Sequence, residues 1–261
     1  MIDRELVKRL AAALNDASIE SAEFQARQMA MAIESGKISE QEILSRRLAG
    51  EPLQYILGEW EFFGLPMIVG PGVLIPRADT EIAVEKALEI IKEKPNAKVL
   101  DVCAGSGCIG IAIAKNSNAK VSFIEKSNEA IGYLKKNLKL NSLPAEVYNT
   151  DALKTPEVQE KFDLIISNPP YIKTDVLASL QKEVQFEPQM ALDGGEDGLI
   201  FYKAIAKNFK PLINDGGSLV FEIGFDEAQE VEEIMSALKY QNIKTFRDYG
   251  GNERVVIGTV I

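Results

Sequence analysis

Residues 99–115 read VLDVCAGSGCIGIAIAK. A short apolar strand, expected from Lys98 to Asp101, leads into a glycine-rich turn, and the chain resumes as a small-residue and aliphatic helix from about Gly107. Gly105, Gly107 and Gly110 spell G-x-G-x-x-G, a spacing that lets the backbone approach a ligand at a strand-to-helix turn. About twenty residues further on, Glu125 ends the next apolar run, where an acidic side chain accepts the hydroxyls of a ribose.

Downstream of this unit, helix and strand patterns alternate. A helix is expected over 128–140, strands over 146–148 and 163–167, a helix over 198–209, a strand over 218–223 and a helix over 226–238. Two final strands, near 243–246 and 254–260, are joined through Tyr249-Gly250-Gly251-Asn252. Alternation of this kind predicts an α/β fold with a parallel sheet and helices on both faces. The last link is too short for a parallel crossover, so the final strand is predicted antiparallel. Upstream, a helix is expected from about Thr80 to Lys94. Before it, Leu6, Val7, Leu10, Ala13 and Leu14 fall at helical spacing, and Ser39 with Glu42 has capping-box spacing. Aromatic and β-branched residues around Gly64-Leu65-Pro66 predict a hairpin. The chain therefore divides into a helical region, 1–57, a hairpin linker, 58–75, and an α/β domain, 76–261.

Composition narrows the chemistry. The 261 residues include no histidine and two cysteines, which excludes Ser–His and Cys–His nucleophiles and a His-ligated metal. No metal site is expected. Lys and Arg number 29 against 39 Asp and Glu, a formal charge of −10 that disfavours a partner held by its phosphates. No apolar run approaches membrane-spanning length and the N-terminus carries charge in every turn, so a cytoplasmic protein with no membrane partner is expected.

Asp101, read as standing at the mouth of the glycine loop, would repel a pyrophosphate. That argues against a nicotinamide dinucleotide and for a cofactor with a cationic amine or sulfonium, such as S-adenosylmethionine. Asp151, after the third strand, is placed to accept an adenine amino group at the carboxyl edge of the sheet. The sharpest signal is Ser167-Asn168-Pro169-Pro170-Tyr171, directly after the apolar DLII strand. Two consecutive prolines remove two donors and stiffen the chain. The loop thereby presents the Asn168 oxygen and carbonyl acceptors to a planar –NH₂ group, with Tyr171 as a flat face. Residues 171–197 lack a helix or strand pattern and are expected to form a rim over the pocket, turning at Glu187-Pro188 and Gly194-Gly195.

The combination of DVCAGSGCIGIAIA, Glu125 and SNPPYI resembles class I S-adenosylmethionine-dependent methyltransferases, which carry a Rossmann-like sheet and act here on an amide or exocyclic amine. The segments GEPLQYILGEWEFFG (50–64), VLIPRADTE (73–81), FEPQMALDGGEDGL (186–199) and GGNERVVIG (250–258) resemble the HemK family. Its members methylate the Gly-Gly-Gln glutamine of class 1 peptide-chain release factors. The resemblance implies that Asn168 and the Pro169 carbonyl hold the target amide, with Pro170 and Tyr171 beside it. It also implies that Cys103, Ala104, Gly105, Ser106 and Gly107 wrap the methionine part of the cofactor, with Asp101 expected at the loop mouth as a further cofactor contact. Glu125 would hold the ribose, Asp151 and Ala152 the adenine, and Asn168 would border the cofactor as well. Arg77, Thr80 and Glu81 would close the pocket, and the N-terminal helices would dock the protein substrate. The chain departs from the family pattern where Cys103 stands for a glycine, Ala78 for a proline and Glu125 for an aspartate. A ribosomal-protein glutamine and, further off, an adenine N6 nitrogen in nucleic acid are the alternative targets. No direct nucleic-acid partner is expected.

Overall fold

A computed structural model describes residues 2–261. Four helices come first: α1 (Arg4–Asp16), α2 (Ala22–Glu34), α3 (Glu40–Leu48) and α4 (Leu53–Leu57). Asp3 caps α1 by accepting from the Glu5 and Leu6 N–H groups, and Ser39 caps α3 by accepting from Glu42 N–H, each satisfying donors the helix start leaves free. Leu10, Leu14, Met29 and Ile43 close a small core among them.

The antiparallel hairpin β1 (Glu59–Phe62) and β2 (Leu65–Ile68) follows. Its turn is Phe63-Gly64, one step before the expected Gly64-Leu65-Pro66; Phe62 pairs with Leu65, and Pro66 belongs to β2. Both turn residues have positive φ, 52° and 71°, the conformation a two-residue hairpin loop requires.

The remaining elements are α5 (Glu81–Ile91), β3 (Lys98–Val102), α6 (Cys108–Lys115), β4 (Lys120–Glu125), α7 (Asn128–Leu140), β5 (Val147–Asn149), β6 (Phe162–Ser167), α8 (Ile200–Asn208), β7 (Ile213–Glu222), α9 (Ala228–Ala237), β8 (Gln241–Arg247) and β9 (Glu253–Thr259). The sheet order is β5-β4-β3-β6-β7-β9-β8. Every pair from β5 to β7 is parallel, while β9 runs antiparallel to both β7 and β8. The final strand is thus antiparallel as expected, and it inserts between β7 and β8.

Both faces of the sheet are covered, so its central strands are predominantly apolar. Val99, Phe123, Leu164 and Val220 pack under α5, α6 and α7. Leu100, Ile124, Ile165 and Phe221 pack under α8 and α9. The chain leaves β3 toward β4 and β5 on one side and returns to β6 and β7 on the other. This reversal opens a crevice at the carboxyl ends of the central strands. Among the described residues no helix is long and apolar enough to cross a membrane.

Candidate functional site

A cavity of about 370 Å³ opens at that crevice. Its walls include Cys103, Ala104, Gly105 and Ser106 from the glycine loop, Glu125 from the end of β4, and Asp151 and Ala152 after β5. Asn168 and Pro170 follow β6, and Arg77 and Thr80 arrive from the linker side.

The loop is built on alternate left-handed residues, Cys103 (φ 61°), Gly105 (55°) and Gly107 (80°). Cys103 takes a conformation that favours glycine, which accounts physically for the glycine of the family pattern. The third glycine of the motif serves packing. A Cβ on Gly110 would enter the Phe123 ring and Val121, so its absence sets how closely α6 lies on the sheet. Three of the loop's N–H groups turn to protein acceptors: Ala104 to the Ile124 carbonyl, Gly105 to Glu125 Oε2 and Gly107 to the Ala104 carbonyl. These three are therefore not free to hold the phosphates of a dinucleotide.

Asp101 does not carry that argument. It is fully buried and lies outside the cavity wall. Its Oδ2 accepts from Gly110 N–H at 2.9 Å and so caps α6 from beneath, and its Oδ1 has no partner. Gly107 is likewise off the wall, pressed toward Leu134. Glu125 is held rigidly, since Oε2 accepts from Gly105 N–H and Oε1 from the Lys126 and Ser127 N–H groups, each at 2.8 Å. Asp151 pairs with Lys126 Nζ at 2.9 Å. Partial burial works against its charge, but the Lys126 and Leu153 hydrogen bonds prevail and hold the carboxyl below its ordinary range.

At the other wall, Asn168 Nδ2 donates to Thr80 Oγ1 at 3.4 Å, leaving Oδ1 as an acceptor. Pro169 and Tyr171 are not on the wall. The expected flat face is therefore absent: the Tyr171 ring packs against the α8–α9 side of the core, and burial raises its phenol pKa. Glu81 also turns away, accepting from Phe63 N–H at 2.9 Å.

Three connections were not read from the sequence. Glu187, 5% exposed, accepts from Ile75 N–H at 2.9 Å and pairs with Arg77, pinning the rim to the linker. Asn137 of α7 is fully buried; it exchanges hydrogen bonds with Ile68 and donates to the Ser106 carbonyl at 2.9 Å, tying the hairpin to the glycine loop. Arg47 of α3, 1% exposed, donates to Gln25 Oε1 at 2.7 Å and pairs with Glu183 of the rim. The rim itself carries three short helical turns and is zipped to the chain after β6. Ile172 N–H donates to the Leu192 carbonyl at 2.9 Å, and Gly194 N–H to the Ile172 carbonyl at 2.8 Å. Pro188, Met190, Ala191 and Gly195 then line the cavity, as a rim should. Among the described residues no group of three or more His, Cys, Asp or Glu is placed to hold a metal ion.

Beneath the site lie three buried carboxyls: Asp101, Glu222 at the end of β7, and Glu227. Burial is the main cause that pushes each of them up to about 7. A carboxyl whose pKa is raised on folding contributes stability below its unfolded value and loses it as pH rises through the folded one. The thermal midpoint is therefore expected to fall between about pH 4 and about pH 7. A midpoint that is flat or rising over that interval in a calorimetric scan would refute this account of the three acids.

Residues 76–193 match the family described as Methyltransferase small domain. The release factor glutamine methyltransferase of Thermodesulfovibrio yellowstonii is 41% identical over 82% of this chain and 78% of its own length. The protein of the same description from Fusobacterium nucleatum is 41% identical over 86% of this chain, which spans 64% of that longer protein. Among solved structures, a methyltransferase from Pyrococcus furiosus superposes with a TM-score of 0.57 at 19% identity, over 86% of this chain and all of that one.

Proposed function

Because this chain belongs to the release factor glutamine methyltransferase family, we propose that it transfers the methyl group of S-adenosylmethionine to the Gly-Gly-Gln glutamine amide nitrogen of class 1 release factors. The observation that carries the reading is Asn168. It follows β6 on the cavity wall, with Thr80 taking its N–H and its carbonyl oxygen left as acceptor.

The residues around the cavity fit the cofactor. No side chain stands at Gly105, where a Cβ would reach nothing nearer than Val73 at 4.0 Å, so a ligand can lie against that backbone. The Glu125 carboxylate is fixed beside it by its three N–H bonds and retains lone pairs for ribose hydroxyls. Asp151 and Ala152 would border the adenine, and Cys103 to Ser106 the methionine part. When bound, the cofactor supplies an electrophilic methyl group on a sulfonium.

This chain's own contribution is to orient the amide. The nitrogen lone pair of a primary amide is delocalised into its carbonyl, which makes it a poor nucleophile. Asn168 Oδ1, on the wall, and the Pro169 carbonyl, which the family resemblance assigns although Pro169 lies off the wall, would together hold both N–H bonds, align the nitrogen with the methyl donor and favour a localised lone pair. The same acceptors stabilise positive charge as it develops on nitrogen. A methylated amide cation is a strong acid, so its proton passes to water without a histidine. The acidic surface complements a basic substrate domain.

Purified protein offered labelled cofactor with a release factor, a ribosomal-protein fraction and DNA in parallel is expected to label the release factor alone. Changing the Gly-Gly-Gln glutamine should abolish that signal. Label in DNA would overturn the assignment.

A further inference from the structure

We propose that residues 173–191 form a lid over the cofactor cavity and that Glu187 is its latch, a positioning residue that sets how fast the cofactor enters and leaves. The proposal rests on the reading of that cavity given above, and not on the identity of the methyl acceptor. The segment starts and ends at one place. Ile172 bridges to Asp193, Thr174 N–H donates to the Gly195 carbonyl at 3.0 Å, and Thr174 Oγ1 donates to Asp193 Oδ1 at 2.7 Å. Between these roots the chain holds its own shape, since the Gln185 side-chain amide donates to the Ala178 and Leu180 carbonyls. A loop with adjoining ends and internal bonds can swing as one piece.

Its attachment to the body is polar. Val176, Phe186 and Met190 are exposed, and no described residue of 173–191 joins any of the three apolar cores. The one buried residue of the segment is Glu187, a carboxylate. Its Oε2 accepts from Ile75 N–H at 2.9 Å, and its Oε1 pairs with Arg77. Both partners stand on the linker wall of the cavity, while Pro188 and Met190, just beyond Glu187, stand on the lid wall. Glu187 therefore clips two walls of one cavity together. The linker side is firm, because the Val73 carbonyl accepts from the buried Tyr55 hydroxyl of α4. Beyond the roots, one other side chain among the described residues hydrogen-bonds the segment to the rest of the protein. It is Glu183, which pairs with Arg47 and leaves its carboxylate 42% exposed, so that water weakens the pair.

A segment with few buried apolar contacts opens at a free energy well below that of global unfolding. Charge-assisted hydrogen bonds held away from water are the strong ones, so opening waits on Glu187. The latch consists of protein groups alone and acts equally on a filled and an empty cavity. A contact that is the same in both states leaves the balance between them unchanged and alters the rates. A residue that merely shaped the cavity would do the reverse: affinity would fall through faster dissociation while association stood still.

The test measures association and dissociation of labelled S-adenosylmethionine separately, with no acceptor protein present. Glu187→Gln keeps an oxygen for Ile75 N–H and removes the charge that Arg77 holds. Both rate constants are expected to rise about tenfold, with Kd within about threefold of the parent. Glu183→Gln, at the solvent-screened contact, is expected to raise both by less than about threefold. Amide hydrogen exchange reads the lid in the parent protein itself. Ile75 N–H should exchange in step with lid amides such as Ala191 and ahead of Leu100 and Leu164 in the sheet. In Glu187→Gln the first pair should exchange about tenfold faster and the sheet pair should not change. A weaker Kd with an unchanged association rate, unaltered rates in Glu187→Gln, a larger effect from Glu183→Gln, or an Ile75 amide as slow as the central strands would overturn the proposal. Absence of S-adenosylmethionine binding in the parent would instead refute the cofactor reading, while hydrogen exchange still decides whether the segment opens.

Discussion

Asn168→Ala is expected to bind S-adenosylmethionine as the parent does and to transfer methyl groups about 1,000-fold more slowly, the upper range for loss of one preorganised polar group. The side chain contributes little to the body of the cavity, whose cofactor wall is built from the glycine loop, Glu125 and Asp151. What it supplies is one oxygen acceptor, fixed by the Thr80 contact at 3.4 Å. Without that acceptor the incoming amide keeps its resonance and loses its alignment. Both losses fall on the transition state, so kcat should drop and cofactor affinity should not. Single-turnover transfer measured beside calorimetric binding separates the two. A loss below about tenfold would mean that the amide is gripped elsewhere.

Gly194→Ala is expected to cost about 100-fold in turnover although residue 194 is not a cavity-wall residue. The obstacle is space rather than conformation. A Cβ there would lie 2.6 Å from Tyr171 Cα, 2.8 Å from the Tyr171 carbonyl carbon and 2.7 Å from the Gly198 oxygen. All three are backbone atoms, so no side-chain rotation relieves the clash. The rim must separate from the chain after β6, opening the Ile172–Asp193 bridge and shifting the Asn168 loop. Gly132→Ala is the control. Gly132 lies on the exposed side of α7 with nothing within 4 Å of an added Cβ, and alanine there should leave turnover intact and strengthen the helix by about 1 kcal/mol. Equal behaviour of the two alanine variants would show that the rim is not braced through Gly194.

The sheet was legible because both its faces are buried, which leaves continuous apolar runs such as 164–166 and 219–221 separated by amphipathic helices. That same burial is why Asp101 was misplaced. In a strand covered on both sides, alternation does not say which face a lone carboxylate joins, and only the structure shows it under α6. Tyr171 failed for a related reason: the prolines announce a rigid turn but not the direction of the ring beyond it. Asn168 was legible because the asparagine-proline pattern is local. The bonds of Glu187 and Asn137 were not, since their partners are Ile75 and Ile68, supplied by chain-distant segments and carrying no periodic signal. The expected rim over 171–197 does border the cavity, but its short helical turns are too brief for a sequence period to register.

The pairing of buried Arg47 with the exposed Glu183 carboxylate bears on how the molecule can be re-engineered. The seam between the helical cap and the lip of the crevice runs through one guanidinium sealed from water, with Gln25 and the Glu51 carbonyl as its other acceptors. A swapped cap that lacks this arginine leaves Glu183 without its cation, and a swapped lip that lacks the glutamate strands a charge in the interior. The halves are thus matched parts, and a chimera has to exchange both sides of the joint together.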